Sequence, residues 1–127
     1  MTLDAADMKN LVERKNKQEL YKDKLIEKVE EFFKERSIPR DLGYTQFQDL
    51  LGKANMTTSV KEIVNFIQYQ CGRDRKQNGW AHRNFGNDLI KKIEEVAGLE
   101  RSDRELSMDL VRLFLGYLLR YARYLEQ

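Results

Sequence analysis

Residues 102–126 read Ser-Asp-Arg-Glu-Leu-Ser-Met-Asp-Leu-Val-Arg-Leu-Phe-Leu-Gly-Tyr-Leu-Leu-Arg-Tyr-Ala-Arg-Tyr-Leu-Glu. Leu106, Leu110, Leu113, Phe114, Tyr117, Leu118, Tyr121 and Leu125 recur every three or four residues, the period of an α-helix with one apolar side. So many large side chains on one helix, from about 103 to 126, predict a central element around which the others pack. Ser102 and Glu105 stand at the spacing of a capping box ahead of it.

Four more helical segments precede it. Residues 4–35 carry Met8, Leu11 and Val12, then Tyr21, Leu25, Val29 and Phe32, with Ile26 and Phe33 widening the stripe. Asp4 is placed to cap this helix, Asp7 to meet its positive end, and Leu3 with Met8 to form a hydrophobic staple. The polar run Glu13–Glu19 is either an exposed stretch of one continuous helix or a break. Pro39 disfavours helix at Ile38 and Gly43 permits a turn, so the chain reverses between Ser37 and Gly43. A short helix from Tyr44 to about Lys53 would bury Tyr44, Phe47, Leu50 and Leu51. A third begins at Ser59, with Glu62 as the other half of a capping box. It presents Val60, Ile63, Val64, Ile67 and Cys71, and Gly72 stands where a left-handed cap would close it. A fourth runs from about Phe85 or Asn87 to Ala97 with Phe85, Leu89, Ile90, Ile93 and Val96 inward, closed by Gly98. The expected fold is all-α: a single bundle of about five helices with short connections, residues 1–127 forming one domain.

Composition agrees. Of 127 residues, 41% are hydrophobic and only one is proline, and no alternating Val/Ile/Thr run marks a strand. One domain fits the length. The lone cysteine forms no internal disulfide, and one Cys with one His falls short of a structural zinc site. No apolar stretch approaches the ~20 residues of a membrane span, and Met1–Asp7 lacks the basic flank and apolar centre of a signal peptide. A cytoplasmic chain with no membrane association is expected.

Net charge is only +2, so any affinity for nucleic acid rests on where the charges lie. Residues 1–43 hold ten basic and ten acidic side chains, and residues 44–72 two of each. The irregular segment 73–83 instead holds Arg73, Arg75, Lys76 and Arg83 against Asp74 alone. Trp80, His82, Gln77 and Asn78 are interleaved with those cations. Cations neutralise phosphates, an indole offers a stacking face and amides reach ribose or base edges, which is the equipment of a single-strand binder. Its competitor is a solvated loop whose one Trp tucks into the core. On the last helix, Arg112, Gly116, Arg120 and Arg123 fall on one line, continued towards Arg101 and Arg104, and arginine suits bidentate phosphate contact. Gly116 in mid-helix costs ~1 kcal/mol relative to alanine, so a helix or a phosphate is expected to approach its backbone. Ion pairing of these arginines with Asp109 and Glu126 is the alternative.

Catalysis has little to draw on. Cys71 falls on an apolar helix face, where thiols pack rather than react. Glu30-Glu31 and Glu94-Glu95 point apart on a helix, so a two-metal site is not supported and no metal or cofactor is expected. Arg75 and His82 have the spacing of the Arg–His motif of HEPN ribonucleases, which they resemble, with His as acid or base and Arg holding the scissile phosphate. That motif belongs within or at the start of a helix, whereas Asn78-Gly79 between the two residues here would break one.

Phe66-Ile67-Gln68-Tyr69-Gln70-Cys71-Gly72-Arg73 followed by Trp80, together with Leu113-Phe114-Leu115-Gly116-Tyr117-Leu118-Leu119-Arg120-Tyr121-Ala122, resembles the small helical subunit of type III CRISPR effector complexes. The resemblance covers the last two thirds of the chain and lies in size, helix order and aromatic/arginine texture. It implies a non-catalytic subunit present in several copies, contacting guide RNA or single-stranded target and other subunits of a ribonucleoprotein, with self-association. The matching cations are Arg73, Arg75, Lys76, Arg83, Arg120 and Arg123. With them Trp80, His82 and Arg112 complete the candidate nucleic-acid-binding set. A structural protein–protein module using Leu115, Leu119 and Tyr124, and a metal-independent ribonuclease, remain the alternatives.

Overall fold

A computed structural model describes residues 4–126. Five α-helices follow one another: α1 (Ala5–Glu35), α2 (Tyr44–Asn55), α3 (Val60–Arg73), α4 (Phe85–Ala97) and α5 (Arg104–Leu125), with 3-10 turns at His82–Asn84 and Gly98–Glu100. The fold is all-α. Glu13–Glu19 continues α1 without a break, since Arg14 and Gln18 are held along it by Asp103 and Asp109 of the α5 region.

The cross-contacts fix the directions. Arg14 meets Asp103 and Phe33 stacks on Tyr121, so α1 and α5 run parallel. The Tyr44 amide donates to Glu126 while Arg112 donates to Ala54 O, so α2 runs against α5. Arg36 meets Asp88 and Lys28 meets Glu95, so α4 runs against α1. The bundle is therefore up-down-up-down-up, and the C-termini of α1, α3 and α5 share one end with the N-termini of α2 and α4.

As expected, α5 is the central element. It touches α1, α2 and α4, and Leu106, Met108, Leu110, Val111, Phe114, Leu115, Leu118, Leu119 and Ala122 are all buried. That is burial on most sides, where periodicity predicted one face. Leu115 and Leu119 are core and offer nothing to a partner, whereas Leu125, expected inward, is exposed. A cluster of edge-on and tilted rings from Phe32, Phe33, Phe47 and Phe85 fills the space between α1, α2 and α4.

Asp4 caps α1 by accepting from the Asp7 amide at 2.8 Å, while the staple through Leu3 lies outside the described residues. Other expected caps differ. Asp103, not Ser102, caps α5, because its carboxylate reaches the Leu106 amide at 3.0 Å. Ser59 caps α3, but Glu62 accepts from the Thr57 hydroxyl instead of reaching back to Ser59. Gly72 lies within α3 rather than beyond its end, and no glycine has a positive φ. Tyr44, expected inside, is exposed on the first turn of α2.

Candidate nucleic-acid interface

The loop after α3 is ordered by its one acid. The Asp74 Oδ2 accepts from the Gly79 and Ala81 amides, both at 2.9 Å. Burial opposes its charge, but the amides of Ala81, Gly79, Asn78 and Gln77 outweigh that and hold its carboxyl below the usual aspartate value. The loop is also pinned to the α1–α2 connector by the Asp41 amide donating to Asn78 O at 3.0 Å. Three non-glycine residues, Gln77, Arg83 and Asn84, take positive φ, the last two in succession where the chain turns into α4.

This ordering decides where each side chain goes. Trp80, expected to offer a stacking face, is only 6% exposed. Its flanking residues are pinned by Asp74, and the ring packs edge-on to Phe47 and against Phe85. The indole is core. Arg73, Arg75, Lys76 and Arg83 are all exposed, and among the described residues none makes an ion pair. His82 is half-buried, its Nδ1 3.0 Å from Gln77 O. Arg75 sits in the turn after α3 and His82 in the 3-10 turn before α4, so the two do not share a helix.

The arginine line on α5 divides. Arg112 is structural: Nε donates to Ala54 O at 3.1 Å, Nη2 to Thr57 O at 2.7 Å and Nη1 to Asp109 Oδ1 at 3.0 Å. It satisfies one carbonyl that α2 leaves open at its C-terminus and one in the connector to α3, so it does not belong to the candidate set. Arg123 pairs with Glu126 and lies 5.1 Å over the Tyr44 ring. Arg120 is exposed and turned towards α1, beside Ile26 and Tyr124. Nothing approaches Gly116, which has open space within 4 Å.

One residue escaped the sequence reading. Tyr69, 62% exposed, stands one turn before Arg73, whose guanidinium lies 5.6 Å from its ring centroid. Its signal was phase, since it falls on the side of α3 opposite Ile63, Ile67 and Cys71. Tyr69 and Arg73 thus make one exposed basic–aromatic contact, Arg75 and Lys76 follow it in the next turn, and Arg83 lines a cleft with Glu35, Arg36 and Asp88. Cys71 does not join these residues. Burial pushes its thiol up, Asp74 adding to the shift, and Sγ lies 3.5 Å from Trp80 O.

Among the described residues, no group of three or more His, Cys, Asp or Glu could hold a metal, and no helix is long and apolar enough to cross a membrane. Comparison of the chain with protein-family models, curated proteins and solved structures finds no match.

Proposed function

We propose that this chain is a non-catalytic RNA-binding subunit of a CRISPR ribonucleoprotein effector complex, holding guide RNA or single-stranded target by its backbone at the basic end of the bundle. The observation that carries the reading is the division of labour in the 73–83 loop. Its acid is turned inward onto backbone amides, while its four cations point outward without carboxylate partners among the described residues. A strand crossing this end exchanges its condensed counterions for Arg73, Arg75, Lys76 and Arg83. Tyr69, already stacked with Arg73, supplies the sequence-tolerant face that Trp80 does not. Placement of Arg75 and His82 on separate turns supports the non-catalytic assignment, since a ribonuclease of the Arg–His type needs both on one helical frame.

The test is a salt series of filter-binding curves on single-stranded RNA. Affinity is expected to fall steeply with salt. Arg73→Ala/Arg75→Ala is expected to flatten the log–log slope by about 1.4, because each phosphate neutralised on a single strand contributes ~0.7, with little dependence on sequence. Parental affinity of the double variant at ~0.15 M salt sinks the reading. RNA recovered intact after incubation is the expected control, and its cleavage, abolished by His82→Ala, would transfer the assignment to the nuclease class.

A further inference from the structure

The start of α1 runs past the rest of the bundle. Asn10, Glu13 and Arg14 border Ser102–Glu105 at the beginning of α5, Arg14 pairing with Asp103 and Glu105, so residues 4–9 project beyond it by about 9 Å. Residues 4–13 are all exposed, Met8 by 54% and Val12 by 55%. Continuing along that side of α1, Met8, Val12, Lys15, Glu19, Lys22 and Ile26 follow one another at intervals of four and three. That alternation is the seam of a helix pair. The seam lies about a quarter turn round α1 from the stripe of Leu25, Val29 and Phe32 that faces the core, with Lys22 half-buried on its near edge. At its far end Ile26 borders an open groove of about 270 Å³ between α1 and α5, lined mainly by Val29, Tyr117, Tyr121 and Tyr124.

The order of chemistry along this seam is apolar, ionic, apolar, and it is complementary to itself when reversed. Two α1 helices laid antiparallel bring Met8 of one copy to Ile26 of the other. Val12 meets the aliphatic stem of Lys22, and Lys15 meets Glu19, with each pairing made twice about a two-fold axis near Lys17. The projecting segment of each copy then covers the tyrosine-lined groove of the other. Its acids Asp4 and Asp7 are carried towards Arg120 at that groove's edge. A parallel pairing would set Lys15 against Lys15 and Glu19 against Glu19. We therefore infer that the exposed seam of α1 is a two-fold interface with a second copy of this chain, pairing antiparallel. This interface is independent of the RNA reading, because the loop cations take no part in it.

Sedimentation equilibrium of the full chain without RNA tests it. The expected mass is twice 15.1 kDa, falling to that of one chain in Met8→Glu/Val12→Glu. Lys15→Glu and Glu19→Lys, each alone, place like charges together at both central contacts and are expected to weaken the dimer at least about ten-fold. An equimolar mixture of those two variants is expected to restore it, because each then supplies the charge the other lacks. Far-ultraviolet circular dichroism checks that the helices persist, as they should for exposed positions. A monomer in the parent, a mass that keeps rising with concentration, or no rescue on mixing overturns the inference.

Discussion

Arg112 shows how much a residue's meaning depends on what the fold sets beside it. On α5 it belongs to a line of arginines, and by sequence alone it suits phosphate as well as any other. Its carbonyl partners, Ala54 and Thr57, lie 58 and 55 residues away, beyond what a helical period can reveal. Two charge-assisted hydrogen bonds to backbone oxygens make it a clamp between α5 and the end of α2. Arg112→Ala is expected to cost about 2–3 kcal/mol in urea unfolding and to leave RNA affinity unchanged under folding conditions. Arg75→Ala, which breaks no contact among the described residues, should do the reverse. Loss of RNA affinity in a folded Arg112→Ala would return that residue to the interface. Trp80 was unreadable for a different reason: in an irregular loop no period says which way a ring points, and its direction is set by Asp74 gripping the amides on either side.

At the scale of elements, the sequence was a good guide to existence and a poorer one to environment. All five helices were legible from three-and-four spacing, and so was the Asp4 cap. The burial of Met108, Val111, Leu115, Leu119 and Ala122 was not, because a one-faced pattern cannot announce a helix flanked on three sides. The glycines divide in the same way. A Cβ at Gly86 would fall 2.3 Å from Cys71 Sγ and 2.9 Å from Trp80 O, so this glycine is what lets α4 close onto α3. At Gly116 the same atom meets nothing within 4 Å. Gly86→Ala is expected to destabilise by about 1–3 kcal/mol, and Gly116→Ala to stabilise by up to ~1 kcal/mol through helix propensity. Both are measured as shifts of the denaturation midpoint at constant slope. A destabilised Gly116→Ala would mean that the middle of α5 is crowded in solution.

For the molecule as a whole, three carboxylates are depressed, and two of them tie separate elements together. Asp103 is held low first by the Leu106 amide and then by Arg14, against burial, joining α5 to α1. Glu95 is held low by its hydrogen bond from Lys28, joining α4 to α1, and Asp74 by the loop amides against burial. Because each folded value lies below the unfolded one, the unfolded chain takes up protons first on acidification. The stability these groups supply is present above the unfolded values and is lost as pH falls through the folded ones. Urea midpoints are expected to hold steady from about pH 7 to 5 and to drop from about pH 4 downward. A midpoint that rises on acidification would contradict all three assignments.

The Asp74-centred loop is finished before any ligand arrives. Its backbone is already bonded to its own acid and to the α1–α2 connector, so a strand settling on it has no peptide to immobilise. Calorimetry on such a rigid receptor should return a small heat-capacity change, unlike the large negative one of arginine-rich tails that fold around RNA.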